Sequence, residues 1–173
     1  VLSGTATTSA GLAPFSGVGF TKSGMIYLKA MSGGLTTACS ASIVLSAGPF
    51  NLAHSIVTVG SPTLPSGSGE ALTLTAKDIN DNQLPSGGIT VVFSNAGGSS
   101  TGAIGGVTDN GNGTYTATFT GVVAGAPTSI SATLNSSAVA SALPTIQVIP
   151  GPFNLAHSIV SVSAPTLTTA NSE

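Results

Sequence analysis

A seventeen-residue phrase appears twice in this chain, from Gly48 to Leu64 and again, with three substitutions, from Gly151 to Leu167. The offset of 103 residues is the length of one small domain, so the duplication reads as a tandem array. Three pieces follow: residues 1–48 as the C-terminal part of one repeat, 49–151 as a complete repeat, and 152–173 as the start of the next. On this reading the chain is a window onto a longer polypeptide.

Within the complete repeat the apolar residues alternate with polar ones, and no stretch sustains a helical period over three turns. Leu72, Leu74 and Ala76 fall on one face, as do Ile89, Val91 and Phe93; Tyr115, Ala117 and Phe119; and Ile130, Ala132 and Leu134. Ser55 to Val59 predicts a first strand, Ile104 to Thr108 a weaker fourth, and Ile146 with Val148 the last. Turn residues separate them: Pro65-Ser66-Gly67-Ser68-Gly69, Asp81 to Gly88, Ala96-Gly97-Gly98, Asp109-Asn110-Gly111-Asn112-Gly113 and Ala124-Gly125-Ala126-Pro127. Short strands with a turn signal about every ten residues predict an all-β chain built as two packed antiparallel sheets. The same template fits residues 1–48: Leu12 to Phe20, Gly24 to Ala30 and Ala41 to Leu45 align on its last three strands.

Charged residues make up only 5% of the sequence, three lysines against five acids. Without a basic patch the chain has nothing to neutralise phosphates, which argues against a nucleic-acid partner. A mean hydropathy of +0.47 comes from Ala, Val and Ile dispersed among Gly, Ser and Thr. No run approaches the ~18 apolar residues of a membrane helix, so membrane insertion is not expected. A hydroxyl- and glycine-rich surface suits a protein fixed in a layer or fibre. Cys39, the one cysteine, rules out an internal disulfide.

Several segments resemble the immunoglobulin-like repeats of bacterial invasins and intimins and, more distantly, filamin repeats. Ala76 to Pro85 followed by Gly88 to Ser94 looks like the family's strand, Asp-containing turn and Val-x-Phe strand, although Asp81 and Gln83 depart from its usual Gly and Pro. Asp109-Asn110-Gly111-Asn112-Gly113-Thr114-Tyr115 resembles its Asp-x-Gly-x-Gly-Thr-Tyr turn. Ser23-Gly24 with Tyr27-Leu28-Lys29-Ala30 is similar to its Ala-Gly-x-Tyr-x-Leu-x-Ala piece. The resemblance implies immunoglobulin-like sandwiches in tandem on a bacterial surface or in a secreted fibre, with no catalytic residue and neighbouring domains or further copies as partners.

The sequence offers no enzyme site. Neither His54 nor His157 has an acid placed in sequence to orient it. Asp78, Asn80 and Asp81 match a calcium-linker spelling, with hard oxygens at alternate positions; a solvated Asx turn is the default reading and calcium the weaker one, and no other cofactor is indicated. The strongest functional candidate is the duplicated junction. Pro49, Phe50, Leu52 and His54, with their copies Pro152, Phe153, Leu155 and His157, put a rigid, apolar phrase where a flexible linker would carry Ser and Gly. The expected role is a non-catalytic structural subunit of an extracellular fibre, surface layer or stalk. The alternatives are an adhesin or carbohydrate-binding module with a ligand site at a domain end, or an accessory module of a secreted enzyme.

Overall fold

The computed structural model describes residue 14 and residues 19–31, 33–34 and 36–161. Most of the expected strand Leu12 to Phe20 lies outside them. Four short strands come first: β1 (Gly24–Ile26), β2 (Lys29–Ala30), β3 (Ala38–Cys39) and β4 (Ile43–Leu45). They pair antiparallel as β1 with β4 and β2 with β3. None of the described residues before Pro49 is buried.

Ten strands build the sandwich that follows. They are β5 (Ile56–Val59), β6 (Thr63–Pro65), β7 (Gly69–Thr75), β8 (Val91–Ala96), β9 (Thr101–Ile104), β10 (Thr108–Asp109), β11 (Thr114–Val123), β12 (Thr128–Leu134), β13 (Ser137–Ala138) and β14 (Thr145–Ile149). One sheet runs β5, β7, β11, with β9 and β10 both on the far edge of β11; the other runs β8, β12, β14, β6, with β13 beside β12. All pairings are antiparallel except β6 with β14.

The facing sides interdigitate as alternation requires. Leu72, Leu74, Tyr115, Phe119, Ile130, Leu134, Ile146 and Val148 are all buried. Their polar neighbours Thr73, Thr116, Ser131 and Gln147 stay outside the buried set. This is an immunoglobulin-like sandwich whose core relies on aliphatics and three aromatic rings.

Two sequence expectations need correction. Thr63–Pro65 is a strand, and Pro65 its last residue, not the start of a turn. The chain leaves β5 in the first sheet, turns through Gly60, Ser61 and Pro62, and joins the second sheet as β6, parallel to β14. Pro65 is tolerated because β6 lies at a sheet edge, where a missing N–H breaks no ladder. The expected strand Ile104 to Thr108 is instead two strands, β9 and β10, interrupted at Gly105-Gly106-Val107, where a glycine pair weakens the extended backbone. Val139 also enters the core, placed by a two-residue turn at Asn135 and Ser136. Both have positive φ, 46° and 69°, the conformation that matches the twist of a tight hairpin.

Candidate functional site

The first copy of the junction phrase wraps around its asparagine. The Asn51 side-chain oxygen accepts from Ala53 N at 2.9 Å, while its carbonyl accepts from Ser55 N at 2.9 Å and Ser55 Oγ at 2.8 Å. Asn51 N donates to Lys77 O at 2.7 Å, which ties the turn to the end of β7. Phe50 and Leu52 are half-buried and pack against the core of the sandwich that follows. The phrase is thus the opening of that sandwich, and Pro49 stiffens the residue just before it.

Residues upstream of the phrase meet the sandwich at a different place, the loop Asp78 to Asn82. Asp78 and Asn82 are buried, with 3% and 8% exposure. The Asp78 carboxylate accepts from Gly48 N at 2.9 Å, Asn80 N at 2.8 Å, Asn82 N at 2.9 Å and the Asn82 side-chain amide at 2.9 and 3.1 Å. Locked this way, the Asn82 amide faces the segment just before β1: its Nδ2 donates to Thr21 O at 2.7 Å and its Oδ1 accepts from Ser23 N at 3.0 Å. Lys22 Nζ adds a bond to Asn80 O at 2.9 Å. Asp81, held at a left-handed φ of 63°, contacts His54 Nδ1 through Oδ1 at 2.9 Å. The result is a polar clasp: one buried asparagine grips main chain on the upstream side, and one buried aspartate orients it.

Beside the clasp lies an open cleft of about 710 Å³, lined by Phe20, Val44, Leu45, Phe50 and Ile79 among others.

The calcium candidates take on another role. Both Asp78 oxygens accept from N–H donors, Asn80 serves through its backbone N–H and carbonyl, and Asp81 faces His54, so the set is occupied in hydrogen bonds of a turn. Among the described residues no group of three or more His, Cys, Asp or Glu is placed to hold a metal ion. The Asn82 side-chain amide, aided by the backbone N–H groups of Gly48, Asn82 and Asn80, holds the Asp78 carboxyl far below the usual carboxylate range against the opposing effect of burial. His54 lowers Asp81 in the same direction.

A depressed folded-state pKa stabilises the fold above the unfolded pKa of about 3.9 and loses that contribution as pH falls toward the folded value. Urea titrations should therefore give a flat midpoint from pH 7 to about 5 and a falling one below about 4. Asp78→Asn should flatten that acid limb. An equal acid slope in the variant would show that Asp78 is not the group responsible.

The second copy keeps the same local turn. Asn154 Oδ1 accepts from Ala156 N at 2.9 Å and its carbonyl from Ser158 Oγ at 2.9 Å, around a short 3₁₀ turn, Leu155–His157. Phe153 and Leu155 are 86% and 81% exposed, and Pro152 and His157 are exposed too. Cys39 is exposed and free. The sequence reading named Phe50 and His54 but not Asp78 and Asn82 as residues that meet beside this phrase. They lie some thirty positions downstream, and only the fold returns them to it.

The sequence profile of the family described as "Invasin, domain 3" matches residues 53–151. No curated protein matches the sequence. Among solved structures, the chain is similar to FdeC, an adhesin of Escherichia coli, with 24% identity, a TM-score of 0.54, and coverage of 64% of this chain and 35% of that one. It is similar to the adhesin InvE of Yersinia pseudotuberculosis at 29% identity and TM-score 0.51, covering 61% of this chain and 29% of InvE. InvD of the same organism aligns at 23% identity and TM-score 0.56 over 80% of this chain and 41% of its own. The chain thus spans about a third of the adhesin structures it matches. With more than half of its residues inside the matched profile, and with the sandwich and turns described above, the chain belongs to the invasin domain 3 family.

Proposed function

We propose that this chain is a non-catalytic spacer of a bacterial surface adhesin, a run of immunoglobulin-like units that holds a binding region away from the cell at a set angle. Residues 1–48, 49–151 and 152–173 are then consecutive units, and the junction is the working part. The observation that carries this reading is the Asp78–Asn82 clasp, which a freely jointed linker would not need. Two buried polar groups, costly unless fully bonded, find their remaining partners upstream: Asn82 in Thr21 and Ser23, just before β1, and Asp78 in Gly48. A spacer also fits the placement of the aromatics in the complete unit: Phe93, Tyr115 and Phe119 are buried, and Phe50 is half-buried against the core, so no ring stands fully exposed as a sugar platform would use.

Asn82→Ala should release the preceding strands while leaving the sandwich folded. A spin label on Cys39, the chain's sole cysteine, should broaden a fixed set of amide signals in residues 49–151 of the unaltered chain. In the variant that pattern should smear out, with loss of stability limited to about 1–3 kcal/mol. An identical broadening pattern in both proteins would remove the clasp as the source of a fixed angle.

The likeness to named adhesins favours a second reading, in which the junction cleft itself receives a ligand. Glycan and protein arrays probed with the unaltered chain separate the two: a hit lost on Phe50→Ala selects the second.

A further inference from the structure

Two Asn-Gly pairs, Asn110-Gly111 and Asn112-Gly113, share one turn. Asparagine followed by glycine is open to cyclisation, because no side chain obstructs the amide that follows it. The turn treats the two pairs in opposite ways. In the first, Gly111 N donates to Asp109 Oδ1 at 2.9 Å and Asn110 Nδ2 donates to Thr114 Oγ1 at 3.0 Å. Both nitrogens that a cyclisation needs are therefore held. In the second, neither Gly113 N nor Asn112 Nδ2 has a hydrogen-bond partner among the described residues. Gly113 is buried while Asn112 is exposed, and an unpaired main-chain N–H in a buried residue is uncommon. The bonds of the Asn112 side chain fall on its oxygen, which accepts from Thr114 N at 3.1 Å and from Thr114 Oγ1 at 2.7 Å.

We propose that Asn112 is a site of self-modification, converted by its own neighbour and water to aspartate and isoaspartate. Gly113 N loses its proton to hydroxide and attacks Asn112 Cγ. The N–Cγ bond forms, the Cγ–Nδ2 bond breaks, and the departing nitrogen takes a proton from water to leave as ammonia. Water then adds to one carbonyl of the resulting succinimide and breaks that carbonyl's bond to Gly113 N. Opening at the side-chain carbonyl gives aspartate, and opening at the main-chain carbonyl gives isoaspartate. During the attack, negative charge gathers on Asn112 Oδ1, where two donors already converge. The bond from Thr114 N also closes an Asx turn, which folds the side chain back over its own peptide group.

Isoaspartate places an extra methylene in the main chain just before Gly113. That position has no slack, since Ala76 N donates to Gly113 O at 2.8 Å and the Leu84 carbonyl lies against the glycine. The Asn112 carbonyl that accepts from Gln83 Nε2 at 2.8 Å leaves the main chain as a free carboxylate. Gln83 bridges to Lys77 at the foot of the clasp loop, so each converted chain loosens the base of the clasp.

The full chain, folded in buffer or unfolded in urea, is held at mildly alkaline pH and sampled by peptide mapping with electron-based fragmentation, which separates aspartate from isoaspartate. Unfolded, the two asparagines should convert at comparable rates. Folded, Asn112 should lead Asn110 by roughly thirtyfold, the equivalent of two hydrogen bonds of about 1 kcal/mol each to the developing charge. Thr114→Val removes the hydroxyl donor and should slow Asn112 about fivefold, whereas Thr114→Ser should keep the rate. A rate ratio unchanged between folded and unfolded chains, a folded Asn112 still intact when the unfolded one has reacted, or equal rates in Thr114→Val and Thr114→Ser would each overturn the assignment.

Discussion

Phe119→Ala should lower the stability of the sandwich by about 3–5 kcal/mol, read as a fall in the urea midpoint at unchanged slope. Phe119 has no exposed surface and lies on β11, the longest strand, where it pairs across to Glu70 on β7 and Ile104 on β9. The fold makes room for its ring with a glycine: a Cβ added at Gly102 would collide with the Phe119 ring and with Thr120 O. A residue enclosed on all sides leaves a cavity that neighbours cannot fill by small shifts. Domains of this size hold about 5–15 kcal/mol in total, so the variant should sit near the edge of folding at 37 °C. A midpoint within error of the unaltered chain would mean that the ring is not in the core.

Gly113→Val should be nearly as damaging, through the backbone. Gly113 has a φ of +79°, where a β-branched residue is strained by about 1–3 kcal/mol. An added Cβ would also strike the Leu84 carbonyl. The close approach is fixed from the other side, since Ala76 N donates to Gly113 O at 2.8 Å and Leu84 N to Ala76 O at 3.0 Å. A combined loss on the order of 3 kcal/mol corresponds to a Tm lower by roughly 12–24 °C for about a hundred residues. Gly111 separates the two causes: its φ is +73°, yet nothing lies within 4 Å of its added Cβ. Gly111→Ala should therefore cost only the strain, on the order of 1 kcal/mol. Equal effects at the two glycines would mean that the Leu84 contact is irrelevant.

Those glycines show why the turns were readable from the sequence. Asp109-Asn110-Gly111-Asn112-Gly113 is local chemistry: Asp109 Oδ1 accepts from Gly111 N at 2.9 Å, and Asn112 Oδ1 from Thr114 N at 3.1 Å. The core was equally legible, because a half-buried strand writes its inner face at every second residue; Leu72 and Leu74, or Ile130, Ala132 and Leu134, need no distant information. The short edge strands were not. Thr63–Pro65 has too few residues to show a period and owes its existence to β14, more than eighty positions away. The break between β9 and β10 falls at the glycine pair Gly105-Gly106, but that each piece pairs separately with β11 is a long-range fact the pair does not spell out.

The clasp was illegible for the same reason. Asp78-Ile79-Asn80-Asp81-Asn82 spells oxygen ligands when read by itself. Whether those oxygens face a cation or N–H groups depends on Gly48, Thr21 and Ser23 arriving beside them. Alternation cannot report that, since it encodes which face is inward and nothing about which loop ends meet.

On the upstream side, Asn82 touches only a carbonyl and an amide that every residue other than proline carries. A neighbour could then be replaced, duplicated or deleted with no side-chain refitting to this loop beyond the Lys22 bond to Asn80 O, provided it presents the same stretch of backbone in the same place. Arrays joined this way can change length by recombination while each newly adjacent pair still meets at the inherited angle.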